Sequence, residues 1–73
     1  MIKIAVIGAG GRMGKTIVSC IEDTEGVAIA GGTEFSGHPA IGSDIGDTAG
    51  IGNKGVAVVE NVEEAIAGCD AII

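Results

Sequence analysis

The chain is almost without aromatic residues: among 73 positions there is one Phe (Phe35) and neither Trp nor Tyr. Its core must therefore be packed from Ile, Val and Ala. Basic residues are scarce as well, four Lys and Arg against ten Asp and Glu, a formal net charge of −6. That balance argues against nucleic acid or an anionic membrane as the main partner, because either requires a basic patch. No run approaches the ~18–20 apolar residues needed to span a bilayer. The first residues, Met1 to Ile7, enter strand-like sequence at once, without signal-peptide architecture. Cys20 and Cys69 form no CxxC pair and have no histidine at metal-ligand spacing, so they are expected to be reduced structural thiols rather than a disulfide or ligand pair. A cytoplasmic protein is expected.

What is abundant is glycine and aliphatic sequence: 14 glycines and 47% hydrophobic residues. Glycine runs at more than twice its usual share of about 7%. The glycines follow no collagen period and sit between short aliphatic runs, the pattern of buried parallel strands. Ile2–Ile7 reads as a first strand. Gly14, Ile17, Val18 and Ile21 lie at i, i+3, i+4 and i+7 and mark one stripe of a helix that ends in Glu22-Asp23-Thr24-Glu25-Gly26. Val27–Ala30 is the second strand, completing a βαβ unit with an expected right-handed crossover. From Gly31 to Gly55 periodicity vanishes; eight glycines and the only proline, Pro39, fall there, which predicts a long loop with room for one helical turn. Val56–Val59 is a third strand. Asn61 caps a short helix with Glu64 at the capping-box spacing, and Asp70–Ile73 begins a fourth strand.

The predicted fold is α/β, a Rossmann-type doubly wound parallel sheet of which residues 1–73 form the N-terminal half (β-α-β, long loop, β-α-β). Because the sequence stops inside an apolar strand, it is expected to be part of a longer protein whose further chemistry lies elsewhere.

The chemistry-bearing segment is Gly8-Ala9-Gly10-Gly11-Arg12-Met13-Gly14, between the first strand and the first helix. Read as GxGxxG it fails, since the third glycine would fall at Met13; read as GxxGxxG, Gly8, Gly11 and Gly14 all fit. A P-loop is excluded because no GxxxxGK[ST] occurs. Gly8 suits a tight turn, Gly10 and Gly11 suit close backbone approach to a pyrophosphate, and Gly14 suits close helix–sheet packing. The helix N-terminus would present N–H groups to the phosphates, and Arg12 could add a charged contact. Glu34 stands twenty residues after Gly14, just past the second strand, where an acid accepts hydrogen bonds from the adenosine ribose hydroxyls. Phe35 follows it where an Arg would grip a 2′-phosphate, and could stack on adenine instead. These residues read as a dinucleotide site for NADH or NADPH, leaning to NADH.

Other polar residues read as structural. His38 is expected to be an exposed turn residue, Asp44 and Asp47 turn formers rather than metal ligands, and Lys54 a solvated turn. Glu60, Glu63 and Glu64 read as a helix cap and an exposed face. No pair suggests general acid–base or nucleophilic catalysis, so no catalytic residue is expected in this chain.

The segment Ile4–Gly14 with its Gly-Arg-Met-Gly ending, followed by Glu34, Gly42-Ser43-Asp44-Ile45-Gly46, Ala49-Gly50, Gly55-Val56 and Asp70–Ile73, closely resembles the N-terminal dinucleotide-binding domain of dihydrodipicolinate reductases (4-hydroxy-tetrahydrodipicolinate reductases). The resemblance implies reduction of a cyclic dihydrodipicolinate precursor by NADH or NADPH, in lysine and diaminopimelate biosynthesis. By position it assigns the pyrophosphate to the Gly8–Met13 backbone (Gly8, Ala9, Gly10, Gly11, Arg12, Met13) and the ribose to Glu34. It further implies that the catalytic histidines and lysine, and most contacts of a homotetramer, belong to a substrate and tetramerisation domain absent from these residues. Phe35 departs from the Arg many members carry, against a strong NADPH preference. Rival readings are another small-substrate dehydrogenase of aspartate or homoserine type, and a non-enzymatic NAD-sensing module.

Overall fold

A computed structural model describes residues 1–73. Four strands form one parallel sheet in the order β3-β2-β1-β4, with β1 at Ile2–Ile7, β2 at Val27–Thr33, β3 at Val58–Val59 and β4 at Ala71–Ile72. Helices α1 (Arg12–Glu22), α2 (Ile45–Ala49) and α3 (Val62–Ile66) connect them. The expected Rossmann-type α/β half is the observed one. Its order places β1 in the middle, so that the chain leaves the sheet on one side after β1 and β2 and returns on the other at β4. The two strand ends nearest that reversal are where an open α/β sheet binds ligands.

Burial follows the aliphatic pattern. Gly14, Val18 and Ile21 are the buried stripe of α1, and Ile17 packs at its margin. They meet Ile4 and Val6 of β1, Ala9, Val58 and Ile45 in a single core. With so few large side chains, close backbone approach replaces bulk. A Cβ on Gly14 would stand 2.0 Å from the Gly8 carbonyl oxygen, so only glycine lets α1 lie against the first turn.

Three expectations are corrected. The second strand runs on through Gly31, Gly32 and Thr33 instead of ending at Ala30. Glycine there is not loop chemistry: a Cβ on Gly31 would stand 2.0 Å from the Ala65 carbonyl oxygen of α3. A register shift opposite Ile4 and Ala5 leaves Ala30 without a partner and lets the strand continue. The third strand is shorter than Val56–Val59, because Val56 and Ala57 pair antiparallel with the loop around Asp44. That loop, expected to be featureless apart from one turn, is tied down by backbone bonds to Val56 and Val58 and by one carboxylate. Asp44 caps α2 through Gly46 N (2.9 Å) and Asp47 N (3.1 Å), and also accepts from Lys54 N (2.9 Å) and Val56 N (3.0 Å). Ile45 is thereby drawn fully into the core, over Gly32.

Smaller points agree in part. Asn61 accepts from Glu64 N at 2.9 Å and caps α3, though the Glu64 carboxylate does not return the bond. Both cysteines are free thiols. Lys54, expected to be solvated, instead pairs with Glu22 of α1 at 2.7 Å, the only ion pair in the structure. No helix is long and apolar enough to cross a membrane.

Candidate functional site

The glycine loop leaves the C-terminal end of β1 and turns straight into α1. Gly8 makes the turn with φ +77°, and its amide and that of Ala9 both donate to Thr33 O, at 3.0 and 2.9 Å. These two bonds lash the loop to the end of β2. Ala9 is fully buried, so its side chain belongs to the core. Gly11 is the N-cap of α1 and has no side chain to satisfy the first turn. The amides of Arg12, Met13 and Gly14 accordingly have no protein acceptor, and Lys15 N is the first to find one, at Gly11 O (2.9 Å). Three adjacent N–H groups at the positive end of an eleven-residue helix are a fit for a pyrophosphate. Beside them a Cβ on Gly11 would meet nothing closer than Gly8 O at 3.5 Å, which leaves room for a phosphate to come in. Arg12 is exposed and unpaired, and the Met13 side chain points to solvent.

Gly10 serves differently from the expectation that it would open the backbone to phosphate. A Cβ there would collide with His38 Cε1 (2.6 Å), Ala40 Cβ (2.9 Å) and Glu34 Cγ (3.1 Å). The space is taken by the segment after β2, which folds over the glycine loop. Glu34 is buried, and its Oε2 accepts from Gly10 N at 2.7 Å while Oε1 lies 3.3 Å from Phe35 N. Each carboxylate oxygen has a second lone pair, so Glu34 can still accept a ribose hydroxyl. The structure thus brings Glu34 directly to the loop with which the sequence paired it.

His38 is not the exposed turn residue expected. It does sit in a turn, with its amide on Phe35 O (3.0 Å) and its carbonyl taking Ile41 N (3.1 Å). Yet it is half-buried, its Nδ1 accepts from Ala40 N at 3.0 Å, and its ring meets Phe35 edge-on with centroids 5.0 Å apart. An Nδ1 acceptor requires the proton on Nε2. Nothing in local sequence signals this packing; the one hint is a glycine at position 10 that the GxxGxxG reading does not need. Phe35 itself is 69% exposed and offers a free ring face.

Glu34 and Phe35 line an open cleft of ≈ 360 Å³ with Ile7, Gly8, Thr33, Glu60 and Val62, at the carboxyl ends of β1, β2 and β3. A larger hollow of ≈ 530 Å³ lies at the opposite ends of the strands, around Glu22–Ile29. It lacks the glycine loop and the free helix amides, and ligands of such sheets bind at the carboxyl ends. Asp44 and Asp47 lie away from the cleft and act as turn and cap residues. Desolvation works to raise the Asp44 pKa, but four backbone N–H donors, led by Lys54, outweigh it and hold the carboxyl below its ordinary value.

A parallel half-sheet in the order 3-2-1-4, a glycine turn into a helix with free N-terminal amides and an acid at the end of β2 define a dinucleotide-binding domain of the Rossmann class. Comparison with known proteins makes this particular. Residues 2–73 match the family model described as dihydrodipicolinate reductase, N-terminus, and the chain belongs to that family. It is 45% identical over all 73 residues to the 4-hydroxy-tetrahydrodipicolinate reductase of Geotalea uraniireducens. It is 48% identical to that of Anaeromyxobacter dehalogenans (strain 2CP-1) and 47% to that of Trichlorobacter lovleyi, again over its whole length. The chain spans 27% of the length of each of these relatives.

Proposed function

We propose that these residues are the cofactor-binding part of an NAD(P)H-dependent 4-hydroxy-tetrahydrodipicolinate reductase, an oxidoreductase of lysine and diaminopimelate biosynthesis. The single observation that carries this reading is the set of three unpartnered amides at Arg12, Met13 and Gly14, one turn from Glu34 on Gly10. The amides and the Arg12 guanidinium would hold the pyrophosphate, Glu34 the adenosine ribose, and the exposed face of Phe35 the adenine. The bound nicotinamide would supply a hydride to a carbon of the cyclic imine-type substrate. This chain's residues fix where the cofactor lies and take no part in proton transfer. The proton donor, the small-molecule substrate site and the contacts of a homotetramer would belong to a second domain.

The absence of Arg at position 35 and the buried Glu34 carboxylate favour NADH over NADPH. The test is a titration of the whole protein with each nucleotide, repeated with Glu34→Ala. Losing hydrogen bonds to a charged acceptor should weaken NADH binding about 10- to 100-fold. Unchanged NADH affinity in the variant would remove Glu34 from the site, and failure of both nucleotides to bind would overturn the reading.

A further inference from the structure

The strand register sets a second carboxylate beside Glu34. Thr33 pairs with Val59 across the parallel β2–β3 ladder, and Glu34 N donates to Val59 O at 3.1 Å. Glu34 and Glu60 are thus the next residues in step on neighbouring strand ends, which stand ≈ 4.8 Å apart in a sheet. Both line the ≈ 360 Å³ cleft with Phe35 and Gly8, and no Lys or Arg lines it. Their carboxylates are engaged differently. Glu34 is buried and bonded to Gly10 N, whereas Glu60 is exposed and bonds no protein donor. A neutral hydroxyl entering the cleft finds acceptors; a phosphate finds two negative charges and no counter-charge.

We propose that Glu60 is a specificity-determining residue, which acts with Glu34 to exclude a 2′-phosphorylated adenosine ribose and so selects NADH over NADPH. This rests on the dinucleotide reading above and adds a residue to it. Glu34 rewards the free 2′-hydroxyl by accepting its hydrogen bond. Glu60 penalises the phosphate through space, at a range of several ångströms across solvent. Coulomb repulsion of that kind, partly screened, amounts to roughly a 3- to 10-fold difference in affinity.

The test is isothermal titration of the whole protein with NADH and NADPH at low and high salt, for the wild type, Glu60→Gln, Glu60→Asp and Glu63→Gln. The ratio of the NADPH to the NADH dissociation constant should fall roughly 3- to 10-fold in Glu60→Gln at low ionic strength. It should also fall with added salt in the wild type, and less steeply in Glu60→Gln. Glu60→Asp should keep most of the discrimination, and Glu63→Gln, in the first turn of α3 and outside the cleft, should leave the ratio alone. A ratio unchanged by Glu60→Gln while both nucleotides bind overturns the role of Glu60 and leaves the dinucleotide site standing. A fall of equal size in Glu63→Gln also overturns it, because the effect would then be one of overall charge. Binding of neither nucleotide to the wild type overturns the dinucleotide reading and this proposal together.

Discussion

Gly10, in the loop, and Gly14, in the first turn of α1, stand four residues apart and are required for unrelated reasons. At Gly14 the obstacle is a backbone oxygen 2.0 Å from the would-be Cβ, which cannot swing aside. Gly14→Ala should therefore cost about 3 kcal/mol, the upper end of ordinary overpacking, and is checked by urea unfolding. At Gly10 the obstacles are the side chains of His38, Ala40 and Glu34, on a segment that can move. Gly10→Ala should destabilise less, about 1 kcal/mol, but weaken nucleotide binding because Glu34 is pushed off the loop. Comparing the two variants by unfolding and by NADH titration separates these effects. The GxxGxxG spacing made Gly14 legible in the sequence. The part played by Gly10 was not, because its neighbours lie 24 to 30 residues further along.

Among the elements, those built from local signals were legible and those closed by distant partners were not. The i, i+3, i+4, i+7 stripe located α1, and β-branched runs located β1 and the start of β2. The extension of β2 through Gly31 and Gly32 was hidden, since two glycines after an apolar run carry the composition of a turn. The close passage of α3 over Gly31 and of the Ile45 side chain over Gly32 explains them. The loop from residue 34 to 57 was hidden for a different reason: its order comes from distant partners, above all the Asp44 carboxylate, whose bonds to Lys54 and Val56 span 10 and 12 residues. This carboxyl is held below its ordinary pKa of 3.8 in the folded chain. A depressed folded pKa means that its contribution is complete above the unfolded value and is lost as pH falls through the folded one. Stability should thus decline below about pH 4, and Asp44→Asn should flatten that decline while lowering the urea midpoint at neutral pH. Parallel acid titrations of the two proteins, followed by circular dichroism, check this; identical acid limbs would take the role from Asp44.

Over the whole molecule, the sheet has uncovered borders. Ile2, Ile7, Ile72 and Ile73 are each about half exposed, and β4 lies on an edge with no neighbour beyond it. A net charge of −6 opposes association, but an open apolar edge promotes it. Residues 1–73 produced alone should self-associate, and sedimentation of a single, cooperatively melting monomer would count against this. The class of fold was legible at this scale from the alternation of strand and helix alone, and the candidate site from the glycine spacing and Glu34; the tie that Thr33 O makes between the β1 and β2 ends was not. The most direct test of the central claim is amide NMR of the whole protein during addition of NADH. Resonances of Arg12, Met13 and Gly14 should shift together, with Gly10 following as Glu34 takes up the ribose. Shifts confined to residues 21–29 at the opposite end of the sheet, or none at the α1 N-terminus, would contradict a cofactor site built on this glycine loop.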